Sequence, residues 1–382
     1  MDARELKRSV MLSMALFFLQ PMVIGAWLAL IPFVKTSLDL SKADLALALL
    51  GMPLSLLVAL QFAGKAVAAF GLRRLFILAF PVQGVAAFLP LFATGQGTLF
   101  LALAAFGFSV AFMEVALNVY AGRVEKQADN HIMNRCHGFW ALGLMSGSLV
   151  TTWMATGATP LVAMASVSVL STAIGLVAAR MLPRVAADEA ARALPRRWLA
   201  QLPPELLPIA AFMFSVTMTE GAMADWGAVY LSERLSSPVT EAGIAVSIFS
   251  GFMAAARFSG DYLKRRLGAV MLARGSAVLA VTGLLCLVLP LPIFAAYLGF
   301  ALVGLGVAAG YPLGVSAVSR LDDTYEAANV ALMSTCALTG FLIGPPVIGF
   351  LSEAFDLRVG LAALIPGQIL CILLAVRLRT GK

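Results

Sequence analysis

The chain has 382 residues, of which 61% are hydrophobic and only 12% charged, with a mean hydropathy of +0.93. Soluble globular chains carry about 25% charged residues, so a soluble fold is excluded and an all-α integral membrane protein is expected. The formal charge of +7 comes with no stretch that joins a basic face to stacking aromatics, which excludes nucleic acid as a partner.

A spanning helix needs about 20 apolar residues, and that window predicts twelve spans. The N-terminus, MDARELKRSV, leads into an apolar run over 10–34. The run is too long for a signal-peptide core and has no clear cleavage site, so it reads as a retained first span. Spans at 44–69, 73–93, 97–122, 133–156 and 159–182 follow on short connections. A charged, proline-bounded stretch at 183–205, PRVAADEAARALPRRWLAQLPPE, interrupts the series. Six more spans follow at 206–231, 240–262, 269–289, 293–317, 326–350 and 358–378. The expected organisation is one six-helix half (1–182), a linker (183–205) and a second six-helix half (206–382).

Lys and Arg fix the orientation. With the N-terminus in the cytoplasm, all but four of the 27 Lys and Arg residues fall on that side. The exceptions are Lys35, Lys42, Arg234 and Arg358. Both termini and the linker are therefore expected to be cytoplasmic.

The two halves repeat. Gly71 and Gly268, Gly107 and Gly304, Gly143 and Gly340, and Gly147 and Gly344 all pair at an offset of 197 residues. Trp27 and Trp226 match at 199. Parallel repeats related by an axis along the membrane normal describe the major facilitator arrangement. The segments EVALNVYAGRVE (114–125), HGFWALGLMSG (137–147), TEGAMADW (219–226), ARFSGDYLKRRLG (256–268) and GFLIGPPVIGFLSE (340–353) carry the likeness further. Over essentially its whole length the chain resembles a major facilitator superfamily transporter, and more narrowly the MosC/YbjJ-like branch.

That resemblance implies a secondary active transporter in a bacterial-type inner membrane. It would act as a monomer without a cofactor, on small polyhydroxy solutes such as inositol-derived amines. It also implies that the first, fourth, seventh and tenth spans line a central cavity. The superfamily's loop motif between spans two and three is only partly present in GKAVAAFGLRR (64–74). Gly64, Gly71, Arg73 and Arg74 match, but Ala68 stands where the motif has Asp, so the role of that Asp does not carry over. Arg73, and Arg266 in the matching second loop, serve as topology charges or as gating partners.

Charged side chains inside a bilayer cost about 2.5–3.5 kcal/mol on insertion scales and tend to mark function. Those read as interior to the spans, away from the clusters at their ends, are Glu114, Glu220, Asp225 and Arg257. Glu114 and Asn118 lie one turn apart on a small, polar helix face that also holds Gly107 and Ala111. Glu220 and Asp225 are about 7.5 Å apart along the axis and rotated by roughly 140°, so a regular helix cannot aim both at one cavity. Unwinding at Gly221 or Gly227 could bring them together. Depth makes Glu220 the preferred proton-coupling residue, with Glu114 beside it and Asp225 nearer an outer gate. Arg257 is a structural cation or a countercharge to one of the acids.

Gln20, Trp27, Asn118, Trp140, Trp226 and Tyr311 are candidates for binding a polar solute. Tyr311 is the repeat mate of Glu114, and Pro312 beside it can hinge its helix. His137, at the mouth of its span, is a candidate gate. The four cysteines have no CxxC spacing, and neither a metal site nor a disulfide framework is expected. No nucleotide-binding loop or nucleophile–base set is present, which excludes ATP-driven transport and enzymatic chemistry. Proton-coupled symport by alternating access is the leading reading. Proton-exchange efflux of amphipathic compounds and a non-transporting receptor are the alternatives.

Overall fold

A computed structural model describes residues 3–128, 132–183, 185, 202–235, 241–321 and 326–379. Most of the 183–205 linker lies outside these residues. Among them the regular secondary structure is helical. The first half of the chain forms α1 (Ala3–Ser37), α2 (Lys42–Leu49), α3 (Gly51–Phe70), α4 (Leu72–Ala86), α5 (Gln96–Ala128), α6 (Met133–Met154) and α7 (Pro160–Met181). The second half forms α8 (Leu206–Leu235), α9 (Ile244–Val288), α10 (Ile293–Val307), α11 (Gly310–Val318), α12 (Glu326–Ala354), α13 (Leu357–Ala362) and α14 (Ile365–Leu374). Several helices overrun their predicted windows. An apolar window measures hydrocarbon depth, whereas a helix continues past it into the headgroup region.

Ten of the described helical rods are long and apolar enough to cross a membrane. Three of these join two α-helices: α2 with α3, α10 with α11, and α13 with α14. Pro312 explains the second joint. Its ring clashes with the carbonyl four residues back, Ala308, which is where α10 ends. Helix α9 has 45 residues, about twice what a hydrocarbon core of about 30 Å requires. Gly268, at φ 76° and ψ 163°, divides it. Gly71 takes nearly the same conformation, φ 73° and ψ 153°, between α3 and α4. Positive φ of this kind favours glycine, and the matching loops of the two halves use it alike.

The other repeated glycines also do equivalent work. Lipid tails are as apolar as Leu, so helices in a bilayer associate through close packing over small residues. A Cβ on Gly143 or Gly147 would overlap the Phe18 or Met22 carbonyl oxygen of α1. On Gly340 it would lie 2.7 Å from the Phe214 carbonyl oxygen of α8, and on Gly344 3.0 Å from that of Met218. Thus α6 seats on α1 as α12 seats on α8. Gly107 likewise brings α5 onto α3, and Gly304 brings α10 onto α9.

The halves meet chiefly along α6 and α9. Near the end where α1 begins, the Asn134 amide donates to the Asp261 carboxylate, and Phe139 meets Phe258 edge-on at 5.4 Å. At the opposite end the Ser148 hydroxyl donates to the Gly243 carbonyl at 2.7 Å. That opposite end holds further ties. The Lys42 backbone N–H donates to Glu353 at 2.8 Å, and its ammonium pairs with Glu233 at 3.3 Å. Helix α12 packs along α2 but only slightly on α3, so these rods meet at the tied end and part toward the other.

The glycine seats predict unequal responses to an added methyl group. Gly147→Ala should lower stability by about 1–3 kcal/mol, the usual cost of overpacking. Gly64→Ala, with nothing within 4 Å of the new Cβ, should be neutral or slightly stabilising. Thermal unfolding of the two variants in detergent separates these outcomes; an equal effect would refute the packing argument.

Candidate functional site

Four helices, two from each half, converge on one cluster of charged and polar side chains. Helix α8 runs unbroken from Leu206 to Leu235, so Gly221 and Gly227 do not unwind it. Glu220 and Asp225 therefore stay roughly 140° apart. Glu220 is 7% exposed and accepts a hydrogen bond from Arg257 Nη2 of α9 at 3.1 Å, forming an ion pair. Arg257 Nη1 also donates to the backbone carbonyl of His137 in α6, at 3.4 Å. The arginine thus ties its own half to the other.

One turn along α6, Trp140 Nε1 donates to the Glu114 carboxylate of α5 at 3.0 Å. The Arg257 bond to His137 and the Trp140 bond to Glu114 thus leave α6 one turn apart. Two carboxylates and one guanidinium therefore share one partly sealed region. With both acids ionised the cluster carries one surplus negative charge. A buried ion pair adds little net stability, but removing one partner leaves an uncompensated charge and costs about 3–5 kcal/mol.

The remaining candidates fall elsewhere. Asn118 donates to the backbone carbonyl of Glu114 at 2.9 Å and not to its carboxylate. Asp225 has no hydrogen-bond or ion-pair partner among the described residues. Gln20 is fully buried with its side-chain amide unpartnered, while its backbone carbonyl accepts from Gln83 at 3.4 Å. Trp27 and Trp226 do not wall an open space. Both are sealed in helix packing, and the Trp226 indole donates to the Pro345 carbonyl at 3.2 Å. Tyr311 shares a 2.9 Å hydrogen bond with Ser334 of α12. The His137 ring sits edge-on to Phe17 at 5.3 Å. Arg73 and Arg266 take no part in the cluster: Arg73 lines a separate pocket, and Arg266 lies over the Tyr262 ring at 5.4 Å.

Trp140 as a donor to Glu114, and Asn134 and Lys42 as ties between the halves, are not apparent from sequence. Each depends on two helices meeting in space, and no local spacing records it.

These observations define the class: a multi-pass helical membrane protein with a charged cluster at the junction of two repeated halves. The Major Facilitator Superfamily profile matches residues 11–331 and 209–382. Membrane protein MosC of Rhizobium meliloti is 32% identical over 349 residues, covering 89% of this chain and 83% of MosC. An uncharacterised MFS-type transporter of Yersinia pestis is 29% identical, covering 90% and 88%. A mutant of the nucleoside transporter NupG superposes with a TM-score of 0.78 at 14% identity, covering 97% of this chain and all of that one. A bacterial homologue of the lysosomal transporter Spinster, inward-facing and unoccupied, gives 0.70 at 14% identity, over the full length of both chains. The chain belongs to the major facilitator superfamily and is a transporter, in a MosC-like branch.

The ion pair predicts non-additive stability changes. Glu220→Gln and Arg257→Gln should each destabilise by about 3–5 kcal/mol, and the double variant by clearly less than their sum. Chemical denaturation of all four proteins checks this, and additive losses would show that the two residues act independently.

Proposed function

We propose that the chain is a proton-coupled secondary transporter. It moves a small polar solute of sugar or inositol type, neutral or cationic, by alternating access between two six-helix halves. The observation that carries this reading is the cluster of Glu114, Glu220 and Arg257 on helices of both halves. One cation cannot balance two acids. The surplus charge is met by a proton, or by a cationic group on the solute, and each exchange changes how tightly Arg257 holds the halves together. Moving an ion or proton into a site that differs between two conformations is what couples its gradient to the transition.

In this reading the membrane is crossed twelve times: α9 supplies two crossings on either side of Gly268, and α6 supplies another. Both termini lie in the cytoplasm of a cell with an inner membrane, and the protein works as a monomer. The end tied by Lys42, Glu233, Glu353, Ser148 and Gly243 is the outer gate in its closed state. The solute path then opens to the cytoplasm between α3 and α12.

The test uses purified protein in proteoliposomes with an inward-directed proton gradient, and a solute found by thermal-shift screening. Glu114→Gln and Glu220→Gln should each lose gradient-driven accumulation by tenfold or more, on the order of one lost charge interaction, while solute counterflow persists. Full proton-driven accumulation in both variants would defeat the coupling. Proton-driven export of lipophilic cations in place of solute uptake would assign the efflux reading.

A further inference from the structure

A second cluster of charge stands apart from the one above and has no assigned role. Gly71 turns the chain so that Arg73 and Arg74 occupy the first turn of α4, beside Arg123 of α5 and Arg180 of α7. The four arginines line a cavity of about 720 Å³ whose lining, among the described residues, also includes Tyr120 and Phe70 but no acidic side chain. None of the four guanidinium groups has a hydrogen-bond or ion-pair partner among the described residues. The N-terminus of α4 opens into the same space without a capping side chain, and free N–H groups at a helix start attract anions.

The matching loop of the second half differs. There Lys264 donates to Ser316 at 2.8 Å and Arg266 lies over Tyr262. Topology alone asks for positive charge at both loops; in the first half four arginines gather around one cavity. A smaller cavity of about 310 Å³ lies on the far side of α7's last turn, lined by Arg4, Lys7 and Arg8 with Met11 and Met181. Met11 is 62% and Met181 45% exposed, so a basic floor adjoins apolar surface at the membrane boundary.

We propose that the cavity formed by Arg73, Arg74, Arg123 and Arg180 binds a phosphate-bearing anion, with its guanidinium groups as the donors. Arginine forks match phosphate oxygens, and basic pockets between helices on the cytoplasmic side suit anionic headgroups. The same chemistry is offered by an anionic phospholipid and by free inorganic phosphate, and the experiment separates them.

Full-length protein in mild detergent is mixed with equal amounts of dioleoylphosphatidylglycerol and dioleoylphosphatidylcholine, and retained lipid is counted by native mass spectrometry. A parallel arm follows thermal unfolding across a titration of inorganic phosphate. Wild type should retain the anionic lipid preferentially, and Arg73→Gln with Arg123→Gln should weaken that retention by about fivefold per charge removed. Arg180→Gln alone serves if the double variant fails to fold. Arg274→Gln, on α9 and away from the cavity, should retain lipid as wild type does. Phosphate-induced stabilisation lost in the arginine variants, without lipid preference, assigns free phosphate as the ligand. Equal retention of both lipids with no response to phosphate, or an equal loss in Arg274→Gln, overturns the proposal.

Discussion

Arg257 is one guanidinium paired with Glu220 among apolar helices, with a second carboxylate, Glu114, held by Trp140 one turn along α6 from its other contact. Its ion pair with Glu220 lies within one half of the protein, and its hydrogen bond to the His137 carbonyl lies across to the other. Around it α5, α6, α8 and α9 must keep their register, because a charge displaced from its partner there has no water to replace it. The Trp140 indole holds Glu114 on the opposite side of the junction. The rest of the architecture can be read as the support that keeps these few atoms in reach.

That support is built from close backbone contact. Glycines seat α6 on α1 and α12 on α8, and they seat α5 on α3 and α10 on α9, so each half is braced in the same way. Such seats resist sliding, because any larger side chain would meet backbone and not a flexible tip. Between the halves, hydrogen bonds, a part-exposed ion pair and edge-on rings add to packing over small residues, with Gly138 against Phe258, Gly243 against Thr152 and Gly349 against Ala46. Neutral hydrogen bonds and exposed ion pairs of this kind are individually worth about 1 kcal/mol, and hydrogen bonds to a carboxylate about 1.5–3 kcal/mol. In the proposed mechanism these are the ties that a rocking transition would exchange.

The fold was legible in the sequence because its cause is local. Apolar length marks the spans, and the 197-residue offset of the glycines marks the repeat that the contacts then display. The joint before Pro312 follows from the chemistry of one ring. The site was legible in part. Glu114, Glu220 and Arg257 stand out because charge is rare in apolar runs, and the regular helix separates Glu220 from Asp225 as the angle requires. Which acid Arg257 would choose was not legible, since that depends on how α8 and α9 rotate against each other. Trp226 was not legible for a related reason: it looks like a cavity wall until its indole N–H is seen to donate a hydrogen bond to the Pro345 carbonyl. Gln20 similarly lies on a helix that the resemblance expects to line the cavity, yet it is fully buried.

The central claim is that the Arg257 cluster sets the balance between the two arrangements of the halves. Distances between spin labels test it most directly. One pair is placed at Thr36 and Phe355, beyond the tied end, and another at Gln127 and Arg320, at the opposite end; all four positions are exposed. In wild type each pair should give a distribution that Arg257→Gln shifts, the first pair lengthening as the second shortens. Distributions that stay the same at both ends, or that change at one end alone, would contradict the account.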